Sequence, residues 1–236
     1  MHTVTYVTRA KKRQVGQNWY TIRMNAEVVS KINTFFSKYR SQEYKKGETI
    51  IHPDEEIPYI FFLESGFVGQ YSYTENGNKI AVHIFRPLSF FPIMLVLAQK
   101  TNQYYFETMT PIKVRKAPKP EVLEFIRDNS DVSWDLLQRL AMGMSGLSER
   151  ITHLMFTDRY KRVVSLLIWL AKGFGEKEKE KVTIQFTITH DDIASWVNLA
   201  RETASQQIET LEKKGLVIYE NHHIIIPNLN KLQAEM

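Results

Sequence analysis

Near the C-terminal end of the chain, one short stretch concentrates the residue types that read base edges. Within residues 200–214, Arg201, Glu202, Ser205, Gln206 and Glu209 share one face of a helix, opposite the apolar Ala204, Ile208 and Leu211. The first four of these polar residues fall in the N-terminal turns, the part of a reading helix that enters a major groove. Arginine can grip guanine through two hydrogen bonds, glutamate can accept from the cytosine amino group, and glutamine suits adenine. Thr189 and Thr203 are of a type that reaches phosphates. The candidate DNA-binding set is therefore Thr189, His190, Ala200, Arg201, Glu202, Thr203, Ser205 and Gln206. A merely solvated helix face is the plainer alternative for any run of charges.

Several elements must hold that helix in place. Thr189 and Asp192 stand at N-cap and capping-box spacing ahead of a helix over 191–197 that buries Ile193, Trp196 and Val197. Asn198-Leu199 makes a tight turn, and Gly215 ends the second helix. Strands over 216–219 and 223–226, with residues 220–222 at their tip, complete a winged helix-turn-helix. Ahead of it, the spacing predicts a helix over 158–172 that stops at Gly173, a solvated charged loop over 175–181 and a half-buried strand over 182–188. This unit spans residues 158–236.

Upstream, Leu137, Leu140, Met144, Leu147, Ile151 and Leu154 recur at alternating spacings of three and four, the seam of a dimerising helix over 131–157. Gly143 and Gly146 weaken an isolated helix, so their presence suggests close backbone approach. Before the seam, residues 42–119 read as short strands: 49–51, 59–64, 67–73, 79–85, 103–109 and 111–116. Asn76-Gly77 is a strong hairpin signal between two of them. Short helices are expected over 26–37 and 121–128. The fold class is thus α+β: an antiparallel β-roll of double-stranded β-helix or jelly-roll type over 21–130, the long helix, and the winged helix. Residues 1–20, with the basic run Arg9 to Arg13, read as an arm.

Composition bounds the partners. The chain has 236 residues and a net charge of +5, which invites a nucleic-acid partner. Yet residues 1–120 carry 17 basic and 9 acidic side chains, whereas residues 158–236 carry 11 of each. Affinity for DNA must therefore rest on local placement, with Arg159, Lys161, Arg162, Lys213, Lys214 and the histidines at the wing as candidates, and the basic arm as a further one. The longest apolar runs are nine residues, well short of the ~20 that span a bilayer, so no membrane contact and a cytoplasmic location are expected.

Residues from about 36 to 228 resemble the Crp–Fnr family of bacterial transcription regulators. The specific match is Ala200-Arg201-Glu202-Thr203-Ala204-Ser205-Gln206 against that family's Ser-Arg-Glu-Thr-x-x-Arg reading helix, followed by Leu211-Glu212-x-x-Gly215-Leu216. The register from Asn129 to Asp158 also matches without a gap. The resemblance implies a homodimer on a palindromic, TGTGA-like promoter site, with Arg201 and Glu202 reading its G and C. It also implies contact with RNA polymerase if the protein activates. Gln206 and Ala200 depart from the family pattern and predict a weaker guanine preference at one position.

The resemblance suggests cyclic AMP, and the residues argue against it. A buried phosphodiester needs an arginine, a close glycine-rich backbone and a carboxylate for the ribose. Over 89–94 the chain instead has Pro92, Ile93 and Met94 where the family has Gly, Glu and Leu. Leu147-Ser148 replaces the adenine-contacting Thr-Ser pair. With no cysteine in the chain, iron–sulfur clusters and thiol sensing are excluded. Haem would need His52, His83 or His153, which show no pairing spacing. Phe85, Phe90, Phe91, Met94, Tyr104 and Tyr105 form either the core of the roll or an apolar ligand pocket. No enzyme is expected, because no His-x-His metal pair, nucleophile triad or phosphate loop is present.

Overall fold

The computed structural model describes residues 25–75, 77, 79–155 and 158–236. The basic arm, Asn76 of the hairpin signal and the side chain of His153 lie outside the described residues. In chain order the elements begin with α1 (Ala26–Ser37), β1 (Ser41–Tyr44), β2 (Thr49–Ile51), β3 (Tyr59–Ser65), β4 (Val68–Tyr73), β5 (Lys79–Phe85) and β6 (Phe90–Phe91). There follow α2 (Ile93–Leu97), β7 (Tyr105–Thr108), β8 (Ile112–Pro118), α3 (Lys119–Asp128) and α4 (Ser130–Leu154). The last third holds α5 (Arg159–Phe174), β9 (Gly175–Glu178), β10 (Lys181–Ile184), α6 (His190–Val197), α7 (Arg201–Lys213), β11 (Ile218–Glu220), β12 (His223–Ile226) and α8 (Leu229–Gln233). The chain divides into two compact units, one up to Leu137 and one from Gln138, so the boundary falls inside α4.

The first unit is an antiparallel roll of two four-stranded sheets, ordered β1-β8-β3-β6 and β2-β7-β4-β5. Their inner faces share one core: Phe61, Leu63, Phe91, Ile112 and Val114 from one sheet meet Ile51, Val68 and Phe106 from the other. Alternation along β3 sends Ile60 and Phe62 to the opposite face. There Phe62 stacks on Phe36 of α1 at 4.7 Å, and Phe35 stacks on Phe125 of α3 at 4.2 Å. β3 is therefore buried on both faces, which explains its unbroken apolar run.

Two short elements were not legible as such. β1 is polar (Ser-Gln-Glu-Tyr) and β6 is only two residues long, so neither gives a periodic signal. β6 and α2 also change the reading of the aromatic set. Phe90 and Phe91 are neighbours on a strand and point to opposite sides: Phe91 packs on Phe61, Phe85 and Phe106, whereas Phe90 faces Phe36 and Phe62. Met94 lies on α2 with 48% of its surface exposed. Phe85 and Tyr104 pack against the core containing Phe91, and Tyr105 meets His52 and Tyr73 edge-on. The six residues thus do not line one cavity, because strand alternation divides them.

In the second unit, two expectations change. α5 runs through Gly173 to Phe174, and the charged segment after it is not a loop: β9 pairs with β10 in register Glu178↔Lys181 to Gly175↔Ile184. Gly175 is required there, since a Cβ would sit 2.3 Å from Val182 and 2.4 Å from the Ala171 carbonyl. With β12 and β11 these strands make a four-stranded sheet, β11-β12-β10-β9.

Along α4, Leu137, Met144, Leu147 and Ile151 expose 54%, 64%, 49% and 54% of their surface, with Leu154 at 36% and Leu140 half-buried. Gly143 is also exposed, with nothing within 4 Å of where a Cβ would stand. From Met144 onward the stripe is unlike the rest of the second unit, whose large apolar residues are mostly buried.

The core assignment makes a prediction. Phe91→Ala removes a fully buried ring and should lower stability by about 3–5 kcal/mol, whereas Met94→Ala should cost under about 1 kcal/mol. Urea unfolding of both variants checks the difference; equal losses would place Met94 in the same packed cluster.

Candidate nucleic-acid interface

α5, α6 and α7 pack together with their apolar faces inward. Ala204, Ile208 and Leu211 of α7 are fully buried, as are Ile193 of α6 and Val163, Val164 and Leu167 of α5. Helical geometry then leaves the other face of α7 to solvent: Ala200, Arg201, Glu202, Gln206 and Glu209 are exposed, and Thr203 and Ser205 are half-buried.

The start of α6 is built by a complete capping box. Thr189 Oγ1 accepts from the Asp192 amide at 3.1 Å, and Asp192 Oδ2 accepts from the Thr189 amide at 2.8 Å. The Thr189 hydroxyl also donates to Asp192 Oδ2 at 2.7 Å. Thr189 is therefore a cap whose proton is already given away. His190 likewise turns inward: its ring stacks on Tyr219 at 4.6 Å, and its Nε2 is buried without a hydrogen-bond partner. Of the eight residues expected at the interface, these two support the motif from behind.

The turn between α6 and α7 rests on Asn198, in the left-handed region at φ 51°, a conformation asparagine tolerates better than most residues. Arg162 of α5 clamps this turn, donating from Nη1 to the carbonyls of Val197 at 3.1 Å and Asn198 at 3.3 Å. Nothing in the spacing of residues 158–172 marked that role. Ala200 caps α7 without a side-chain hydrogen bond, so the first amides of the reading helix have no side-chain partner at the cap.

The wing is a tight hairpin. Glu220 pairs with His223 across Asn221 and His222, whose φ values of 51° and 62° match the primed turn that suits strand twist. Tyr219 ties it to the motif: its hydroxyl donates to the Ile188 carbonyl at 2.9 Å, and His222 Nδ1 lies 3.0 Å from that hydroxyl. Burial and the nearby Asp192, Glu212 and Asp191 push the Tyr219 phenol above its ordinary range.

Several cations expected to meet phosphates are engaged elsewhere. Lys214 Nζ binds Glu235 Oε2 at 2.6 Å and Tyr160 Oη at 3.0 Å, Lys161 Nζ binds the Met236 carbonyl at 2.8 Å, and Arg162 holds the turn. Arg159 and Lys213 are exposed. Arg201 pairs with Asp191 of α6, with Nε 3.5 Å from Oδ2. Among the described residues, no group of three or more His, Asp or Glu side chains could hold a metal ion, and no helix is long and apolar enough to cross a membrane.

The capping box carries a prediction of its own. Thr189→Ala should cost about 0.5–2 kcal/mol in thermal or urea unfolding, and Asp192→Ala a similar amount. Because the two act as one unit, the double variant should cost less than the sum of the singles.

Comparison with known proteins agrees with this architecture. Residues 161–235 match the Crp-like helix-turn-helix domain, and residues 41–129 match the cyclic nucleotide-binding domain. A global nitrogen regulator from Nostoc sp. PCC 7120 is 25% identical over 178 residues, covering 75% of this chain and 80% of that protein. A CRP-like cAMP-activated global transcriptional regulator from Mycobacterium tuberculosis is 22% identical, covering 80% and 85%. Among solved structures, a CRP/FNR-family transcriptional regulator from Thermus thermophilus superposes with a TM-score of 0.65 at 24% identity, covering 83% of this chain and 97% of that one. A CooA mutant from Carboxydothermus hydrogenoformans gives 0.70 at 19% identity, covering 86% and 89%. These relatives are regulators and not enzymes. With an outward reading helix, a wing tied behind it and both domain models matched in order, the chain belongs to the Crp–Fnr family of DNA-binding transcription regulators.

Proposed function

We propose that the protein acts as a homodimer on a palindromic, TGTGA-like promoter site, and that its roll does not bind cyclic AMP. The observation that carries this reading is the exposed Arg201, Glu202 and Gln206 on the N-terminal turns of α7, held outward by a buried apolar face. Arg201 reads guanine, Glu202 accepts from cytosine, and Gln206 favours adenine where the family pattern has a second arginine. A dimer places two such helices in successive major grooves, about 34 Å apart.

Dimerisation is supported by the exposed stripe on α4. Five large apolar side chains at heptad spacing cost free energy in water, and an identical helix packed against them removes that cost. Gly143 flanks the stripe, where a second backbone could approach closely.

Against cyclic AMP stands the packing of the segment expected to cradle a phosphate. Phe90, Phe91, Pro92 and Ile93 are all buried, so that stretch is filled by apolar side chains. Arg115 is committed to Glu64 at 2.6 Å and to the Tyr39 carbonyl at 2.6 Å. Ser148 of α4 is back-bonded to the Met144 carbonyl at 3.0 Å. Membership of the fold does not fix the effector: a relative in Mycobacterium tuberculosis is named cAMP-activated, and a protein of like fold from Xanthomonas campestris is described as c-di-GMP responsive. In this reading the protein works without a nucleotide, and control by its own abundance is the simplest regulation. If it activates, RNA polymerase is its second protein partner.

Two substitutions test these assignments. Arg201→Ala should weaken binding to a site selected from randomised duplexes by about 1–3 kcal/mol and relax one base of each half-site, measured by fluorescence anisotropy. Unchanged affinity and selectivity would refute its reading role. Leu147→Asp buries a charge in the seam and should give monomers in sedimentation equilibrium; a persistent dimer would rule the seam out. Footprinting on genomic DNA, with and without cyclic AMP or extracted metabolites, should give the same sites in every case.

A further inference from the structure

We propose that Asp191 is a specificity-setting positioning residue, which holds the Nε edge of Arg201 so that the guanidinium presents its terminal nitrogens to guanine. This inference rests on the reading of α7 given above. Asp191 Oδ2 lies 3.5 Å from Arg201 Nε, and both side chains are largely exposed, at 69% and 65%. The contact joins the first turns of two successive helices, α6 and α7, so it sits at the end of the motif that faces DNA.

A guanidinium carries five N–H donors, one on Nε and four on the two terminal nitrogens. An unrestrained arginine can offer either its side edge, through Nε, or its end, through both terminal nitrogens. The pair is an exposed ion pair without a hydrogen bond, so the carboxylate lies beside the side edge and biases the end of the guanidinium toward the O6 and N7 acceptors of guanine. It also favours one orientation of a long side chain before DNA arrives, which reduces the ordering that binding must supply.

The charge of Asp191 acts in the same direction. A carboxylate at a DNA-facing position repels phosphates on every sequence, and only a site with guanine under Arg201 compensates for it. Asp191 thus lowers affinity for all duplexes while widening the gap between the right site and the rest. The usual structural task of an acidic residue there, capping α6, is already discharged by Thr189 and Asp192, whose box is complete without it. His190 and Asp192, its neighbours in sequence, face Tyr219 and Thr189 respectively. Of these three, Asp191 is the residue with an ion pair to the reading helix.

The test is a double-variant cycle on DNA. Duplexes selected by the wild-type protein would be compared with variants carrying adenine at each guanine in turn, and with a scrambled duplex, by anisotropy at several salt concentrations. Asp191→Asn should bind the scrambled duplex several-fold more tightly and lose about fivefold or more of the discrimination at a single guanine. Asp191→Ser should behave alike, and Asp191→Glu should retain part of the discrimination. In an Arg201→Ala background, Asp191→Asn should have no further effect at that guanine. Circular dichroism keeps the comparison to folded proteins. If Arg201→Ala abolishes discrimination at one guanine while Asp191→Asn and Asp191→Ser both keep it, the positioning role is overturned and the reading helix stands. If Arg201→Ala itself leaves every position unchanged, the reading assignment fails and the role of Asp191 with it.

Discussion

The buried face of α7 governs how the second unit can act. Ala204, Ile208 and Leu211 are fully enclosed by α5 and α6, and their burial fixes the rotation of the helix about its own axis. Since neighbouring residues differ by about 100° around a helix, that single constraint decides which side chains can meet a groove. Arg201, Glu202 and Gln206 face outward because three small or branched apolar residues face inward. The clamp of Arg162 on the preceding turn and the hydroxyl of Tyr219 on Ile188 then hold the flanking elements against the same core.

Side-chain packing also shapes the roll. Its two sheets enclose a continuous aromatic cluster, Phe61, Phe85, Phe91 and Phe106, with ring centroids 5.2 to 5.9 Å apart. A phosphate-binding segment must bring polar backbone and a free arginine together in a partly open site. Here the matching stretch is filled with phenylalanine, proline and isoleucine, and Arg115 already holds a carboxylate and a carbonyl. In the proposed reading, this packing takes the place of a nucleotide cradle.

Much of this was legible in the residues, for identifiable reasons. Alternation and helical spacing gave α1, β2, β5 and β12 to the residue, and the capping pair Thr189 and Asp192 announced α6. β1 and β6 escaped because one is polar and the other too short to show a period. β9 was hidden by its charges, which project from an edge strand into solvent. At the interface, residue type pointed to Arg201, Glu202 and Gln206 correctly as exposed, but could not tell that Thr189, Lys161 and Lys214 spend their polar atoms within the protein, or that the His190 ring stacks on Tyr219. Asp191 and Arg162 carry no motif of their own. Only their positions relative to Arg201 and Val197 give them roles.

In the proposed complex, two copies of α7 read successive major grooves of one duplex. Dimethyl sulfate, which methylates guanine N7 in the major groove and adenine N3 in the minor groove, tests this on a selected site. Two protected guanine clusters are expected, related by two-fold symmetry and separated by about one helical turn, with the adenines of the intervening minor groove reactive. A single protected cluster, or protection confined to the minor groove, would contradict it.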